Sequence, residues 1–259
     1  MVCPFPKGIT TAWLVVGCLT GGGLLWAKDS QKIALIRAAL AGRLDAIQFR
    51  HDGVERFRKQ NTDLFPREER GEWVQVRKEE IRLANGKSVS IGAAYSQVFI
   101  PAPLERGIRF LESPQWFRDI YDLDGEAGLG RGPGDSGCFH ARIFKKIPLL
   151  PDQDFVLGFE RVWQGDIWVQ RGRLVKDRGN FAVRDNLKIL ESREGGMMYH
   201  EISLIYPRRW WARAAGPTFR RIMRKEVSNM LKVLRCVISH GDDFDPSRAR
   251  ICWKQARRD

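Results

Sequence analysis

The 259-residue chain is poor in the residue types that mark most enzymes. It has four histidines, His51, His140, His200 and His240, and none stands in an H-E-x-x-H context, so a zinc-protease helix is excluded. Five cysteines, Cys3, Cys18, Cys138, Cys236 and Cys252, form no C-x-x-C pair, so their spacing does not describe a zinc site. Cys138, Cys236 and Cys252 leave an odd thiol beyond the amino-terminal segment; buried free thiols are the expected state, and a disulfide between two of them is the alternative. The glycine-rich stretch GEAGLGRGPGDSG lacks the Gly-Lys-Ser/Thr ending of a phosphate loop. Its Gly134-Asp135-Ser136-Gly137 imitates a serine-protease nucleophile motif, but no histidine sits in a matching context, and a polar turn before a strand accounts for it. Acidic residues are also scarce relative to basic ones, 31 against 44, which gives a formal charge of +13. That balance favours anionic partners: a membrane surface, nucleic acid or an acidic protein.

What is present is a large apolar and aromatic complement. Hydrophobic residues make up 43% of the chain, nine of them tryptophan, enough for one sizeable core and too many for a disordered chain. Gly8 to Ala27 carries no charge, and Lys7 precedes it. Two export readings compete for residues 1–27. Val15-Val16-Gly17-Cys18 is similar to a bacterial lipobox, which would make Cys18 a lipidated amino terminus. Alternatively the segment is an anchor or an ordinary signal, with a poor cleavage site after Ala27. A third reading makes it a buried helix of the domain. Either export reading places the protein at a bacterial envelope membrane and argues against nucleic acid.

Beyond residue 28 the apolar period changes along the chain. Ile33, Ile36, Leu40, Leu44 and Ile47 recur at helical spacing, which predicts a helix over 31–49. Asn85-Gly86 between two alternating runs predicts a β-hairpin. Val89, Ile91, Ala93, Tyr95 and Phe99 share a face of its second strand. A short helix carrying Leu104, Ile108 and Leu111 follows, closed by Pro114, and a second helical piece begins at Trp116. Five strand-like runs then alternate with turn residues from Cys138 to Tyr206 and predict an antiparallel meander. A helix over 218–239 presents Phe219, Ile222, Met223, Val227, Met230, Leu231, Leu234 and Val237 on one stripe, with arginines and lysines opposite. A basic polar tail, 241–259, ends the chain.

This order predicts an α+β domain over 28–240, a twisted antiparallel sheet covered by one long helix. SQVFIPAPLERGIRFLESPQWF, PLLPDQDFVLGFERVW and GNFAVRDNLKILESREGGMMYHEISLIYP, followed by the terminal helix, resemble the START-domain lipid-binding family within the helix-grip, polyketide cyclase-like superfamily. The resemblance covers about residues 28–240. It implies a curved antiparallel sheet wrapped around the long carboxy-terminal helix, and an internal cavity for a lipid, sterol or other hydrophobic small molecule. It implies no cofactor and no metal. The leader, the glycine-rich loop and the basic tail depart from the family pattern, and ligand and oligomeric state stay open.

Strand parity and the apolar stripe nominate the cavity lining: Phe155, Leu157, Phe159, Arg161, Trp163, Asp185, Met198, His200, Phe219, Met223 and Met230. Arg161 and Asp185 fall on apolar parity and are candidates for contacting a polar group of a ligand; outward twist of the strands is the competing reading. The aromatic and methionine positions serve ordinary core packing equally well. A cyclase- or hydrolase-like activity would need a titratable group there, and Arg161, Asp185 and His200 are its candidates. From Pro207 onward fourteen Lys/Arg face five Asp/Glu. Such a run is a solvated face or a surface for anionic headgroups, at roughly 1 kcal/mol per basic residue. Arg208, Arg209, Trp210, Trp211 and Arg213 between the last strand and the long helix suit a membrane–water lip. Packing of a tryptophan under the helix, or RNA stacking on the pair, are the alternatives.

Overall fold

The computed structural model describes residues 22–45, 71–112, 129–131, 139–145, 153–164, 167–177, 181–207, 216–240 and 246–258. Helix α1 (Gly22–Asp45) precedes strands β1 (Glu72–Arg82) and β2 (Ser88–Ile100). Helix α2 (Leu104–Glu112) follows, and then β3 (Leu129–Arg131), β4 (Phe139–Lys145), β5 (Gln153–Gln164), β6 (Ile167–Asp177), β7 (Phe181–Arg193) and β8 (Gly196–Pro207). Helices α3 (Gly216–Ser239) and α4 (Pro246–Ala256) end the chain.

All eight strands join one antiparallel sheet in the order β1-β2-β8-β7-β6-β5-β4-β3. The β1–β2 hairpin forms at the expected Asn85-Gly86. Gly86 takes φ +80°, which other residues adopt only with strain. The Asn85 Oδ1 accepts from the Lys87 amide at 3.1 Å and fixes the turn. The meander from β4 to β8 matches the alternation in the sequence, and β8 returns to pair with β2, so the two strand groups become a single layer.

The sheet is covered on both sides. On the back face, Ile36, Leu40 and Leu44 of α1 pack on Ile91, Ala93, Tyr95, Val169, Val183, Leu187, Ile189, Ile202 and Leu204. On the other face, here the grip face, α2, α3 and α4 pack on Val74, Val98, Ile100, Trp168, Leu190, Met197 and Tyr199. Farther along the grip face Ala141, Phe155, Leu157, Phe159, Leu174, Phe181 and Ile205 form a third cluster, against which Met223 of α3 rests. Ser228 Oγ donates to Glu72 at 2.6 Å and ties α3 to the edge strand. Arg106 reaches the Ile238 carbonyl at 3.3 Å and ties α2 to the end of α3. This is a helix-grip arrangement: one antiparallel sheet with the long carboxy-terminal helix lying across one face.

Four expectations are revised. Residues 129–131 of the glycine-rich stretch pair with β4, so part of that stretch is strand. The expected polar tail carries α4, whose Ala249, Cys252, Trp253 and Ala256 are buried against the grip-face cluster. Four apolar positions in eleven residues, spaced three and four apart, supply the buried stripe that the basic composition masks. Cys236 and Cys252 are joined as a disulfide with Cα atoms 5.9 Å apart, not free thiols, because α4 folds back beside α3. The first helix begins at Gly22, nine residues before the expected start, and runs without a break past residue 27. The helical piece at Trp116, the nominated lipidation residue Cys18 and the lip residues Arg208, Arg209, Trp210, Trp211 and Arg213 lie outside the described residues.

Candidate ligand site on the grip face

Strand register sorts every side chain of the central sheet to one face or the other. Ser96 of β2 stands opposite Glu201 of β8, Glu201 opposite Lys188 of β7, Lys188 opposite Gln170 of β6, and Gln170 opposite Arg161 of β5. Side chains directly opposite in an antiparallel pair share a face. These five residues therefore form one polar row across five strands, on the grip face. The neighbouring row on one side is apolar: Val98, Tyr199, Leu190 and Trp168. The row on the other side runs Ala94, Ser203, Asn186, Gly172 and Phe159.

The row is buried. Lys188 is 1% exposed and Gln170 likewise 1%, and Ser96, Asn186 and Glu201 are buried too. The Glu201 carboxylate accepts from Tyr199 OH at 2.6 Å and from the Asn186 amide at 3.2 Å. Lys188 Nζ lies 4.9 Å from the centre of the Phe159 ring, a cation–π distance. Burial pushes the Lys188 amine down to about 8, against the attraction of Glu201, which favours its charged form. A lysine that exchanges its proton near neutral pH is suited to acid–base work as well as to binding.

Three polar atoms here make no hydrogen bond among the described residues: Gln170 Oε1, Asn186 Oδ1 and Ser203 Oγ. Buried acceptors left unpaired are costly, about 1–3 kcal/mol each. Gly172 is what admits the Asn186 carboxamide. A Cβ at Gly172 would stand 1.9 Å from Asn186 Oδ1 and 2.7 Å from the Phe159 ring. At the edge of the site, Glu112 at the end of α2 accepts from Trp168 Nε1 at 2.9 Å and pairs with Arg161 at 2.6 Å. Gln170 Nε2 reaches the Leu111 carbonyl at 3.4 Å, so α2 caps one end of the polar row.

The structure divides the nominated lining residues. Phe155, Leu157 and Phe159 are buried on the grip face, and Arg161 is on it but half exposed, bound to Glu112. Met223 rests on the third cluster and Met230 on the helix-covered one. For Trp163 only the backbone is described: it pairs with Val169 past a bulge that follows Arg161. The Phe219 side chain is also outside the described residues. Asp185, Met198 and His200 are corrected. Asp185 and His200 stand opposite Leu204 and Ile189 in the register and belong to the back face, and Met198, two residues before His200, shares that face. Asp185 pairs with Arg171 at 3.5 Å, and its carboxyl is raised by burial despite Arg171 and Arg173. His200 Nε2 lies 3.7 Å from Glu191. The reason is that β7 and β8 are buried on both sides, so apolar alternation no longer tells which face is which.

Lys188, Glu201, Asn186, Gln170 and Ser203 were not nominated from the sequence. The available signal was a lysine set between Leu187 and Ile189, in a strand that is buried throughout from Asp185 to Glu191. Among the described residues no group of His, Cys, Asp and Glu is arranged to hold a metal ion, and no helix is long and apolar enough to cross a membrane.

No protein-family model and no curated protein sequence matches the chain. Among solved structures it is similar to TTHA0849 from Thermus thermophilus, at 13% identity and a TM-score of 0.47, over 61% of this chain and 96% of that one. It is similar to a STAR-related lipid transfer protein fragment from Xanthomonas axonopodis, at 15% identity and 0.46, over 64% and 98%. Human STARD10 is similar at 12% identity and 0.46, over 72% and 80%. The chain thus resembles START and helix-grip proteins over part of its length. No residue role is carried over from them.

Proposed function

We propose that this protein binds a hydrophobic small molecule carrying a polar group, held on the grip face with the polar group at the Ser96–Glu201–Lys188–Gln170 row. The observation that carries this is the set of buried, unpaired polar atoms, Gln170 Oε1, Asn186 Oδ1 and Ser203 Oγ, beside aromatic and aliphatic walls. A ligand with a lipid-like body would gain affinity from apolar burial, and its hydrogen-bonding group would complete these three.

The protein acts, in this reading, at a bacterial envelope membrane, held there by residues 1–27 through Cys18 or as an anchor. The Cys236–Cys252 disulfide supports an oxidising compartment. The basic run after Pro207 supports an anionic membrane surface as a partner. Transfer of the ligand to or from that membrane is the activity these features favour.

Native mass spectrometry of the full chain extracted from membranes tests both parts. A stoichiometric adduct that enters the organic phase on extraction, together with the mass of the mature amino terminus, is expected. Absence of any adduct, with no binding of fluorescent lipids, would remove the ligand reading.

A second reading, catalysis in the same place, is favoured by Lys188 beside Glu201 and Tyr199 rather than by Arg161, Asp185 or His200. Turnover of the extracted ligand by wild type and not by Lys188→Met would establish it; unchanged ligand after prolonged incubation would remove it.

A further inference from the structure

A separate cleft of about 280 Å³ lies where the β1–β2 hairpin, the end of β8 and the start of α3 meet. Four cations line it: Lys32 of α1, Arg77 and Lys78 of β1, and Arg220 of α3. No aspartate or glutamate is among its described lining residues. Lys78 Nζ and Arg220 Nη1 both converge on Gly216, at 3.7 and 3.9 Å from where its Cβ would be. Two of the cations are held in place by aromatic rings. Arg77 stacks over Tyr95 at 4.8 Å and Lys32 lies over Tyr206 at 5.9 Å. Glu79, next to Lys78 in the chain, serves Arg77, Arg43 and Tyr95. The first turn of α3 contains no acid to offset this charge.

We infer that this cleft binds a phosphate group, gripped between Lys78 and Arg220. Four cations gathered from three separate elements present a concentrated positive field to a dianion. Arginine adds a planar fork that suits phosphate oxygens, and lysine a mobile point charge. The cleft is wide enough for a phosphate and its first ester substituent, and Val89, Ile91 and Tyr206 give it an apolar side. Pro207 and Gly216, the residues on either side of 208–215, both line it. The site is independent of the grip-face ligand, whose absence from a lipid extract would leave it standing.

The test compares two double variants of the full chain that remove the same charge. Lys78→Gln/Arg220→Gln empties the cleft, and Arg224→Gln/Lys225→Gln removes two exposed cations elsewhere on α3. Equal melting temperatures establish that both fold. Two probes are used: inorganic phosphate by titration calorimetry, and phosphatidylcholine vesicles containing phosphatidic acid by flotation. At least tenfold weaker vesicle binding in the cleft variant, with under twofold loss in the control, assigns the site to a lipid headgroup. Saturable phosphate binding lost only in the cleft variant, with vesicle binding unchanged, assigns it to free phosphate. Equal losses in the two variants for both probes, or no binding of either probe by wild type, would overturn the inference.

Discussion

On the back face of the sheet, Arg171 meets Asp185 at 3.5 Å, and the Arg171 guanidinium also reaches the Ala41 carbonyl of α1 at 3.4 Å. Nearby, Glu79 joins Arg43, Arg77 and Tyr95 in one network. The charged groups there face each other and the helix that covers them. On the grip face, Lys188 and Glu201 are also buried opposite each other, but the amides and hydroxyl around them are left with unpaired oxygens. Two faces of one sheet thus bury charge in different ways. The back-face groups are charged and ion-paired, although Glu79 Oε2 and Arg173 Nε there also make no hydrogen bond among the described residues. On the grip face the unpaired atoms are neutral amide and hydroxyl oxygens gathered beside aromatic walls, places that a further molecule's hydrogen bonds can complete, which is why the ligand is proposed there.

The contrast can be broken at Glu201. Glu201→Leu strands Tyr199 OH, the Asn186 amide and Lys188 together, and a loss of about 3–5 kcal/mol in urea unfolding is expected. Lys188→Met/Glu201→Leu removes both charges and should recover most of that loss. If the double variant is as unstable as the single one, the two side chains are not coupled and the row is a coincidence of register.

The pH dependence separates the faces by sign. Lys188 titrates near 8 in the folded protein, below its ordinary value near 10.5. Between these values the unfolded chain holds a proton that the folded one lacks, so stability rises with pH across that window and is lost as pH falls through about 8. The rise is on the order of 2 kcal/mol. On the back face, burial and then its hydrogen bond to Glu79 push Tyr95 up to about 12. Above about 10 the unfolded tyrosine ionises first, and stability falls. Melting curves from pH 7.5 to 10 should show the rise in wild type and a flat profile in Lys188→Met. A rise that survives the substitution would assign it to another group.

Much of this architecture was legible in the residues. Asn85-Gly86, the five meander strands and the stripe of the long helix each carry a local period or a turn that physical chemistry forces. The face assignments of Asp185, Met198 and His200 were not legible, because β7 and β8 are covered on both sides and alternation vanishes there. The Lys188 row was hidden for the same reason, and it exists only through register between five strands. The helix 246–256 was obscured by its own basic surface, and the Cys236–Cys252 link depended on that helix.

Gly172→Ala asks whether the opening beside Asn186 matters. The added methyl cannot share space with Asn186 Oδ1, so the carboxamide must turn away from Glu201. A cost of about 1–2 kcal/mol is expected from the crowding, with ligand affinity reduced along with it. An unchanged melting temperature and unchanged binding would mean that the Asn186 rotamer is not set by the glycine.

The smallest effect on stability discriminates most sharply between a ligand site and an ordinary core. Ser203 Oγ is buried with no partner among the described residues. Removing an unpaired buried hydroxyl relieves a desolvation penalty, so Ser203→Ala should leave stability within about 0.5 kcal/mol of wild type or slightly raise it. If the hydroxyl serves the ligand, binding should weaken two- to tenfold, the worth of one hydrogen bond. The back-face control is Tyr95→Phe, which removes a hydroxyl bonded to Glu79 at 2.6 Å and should lower stability by about 1 kcal/mol without touching binding. The two substitutions move opposite observables only if the faces divide as described. A serine variant that loses stability and keeps its ligand would return Ser203 to the core and weaken the whole assignment of the grip face.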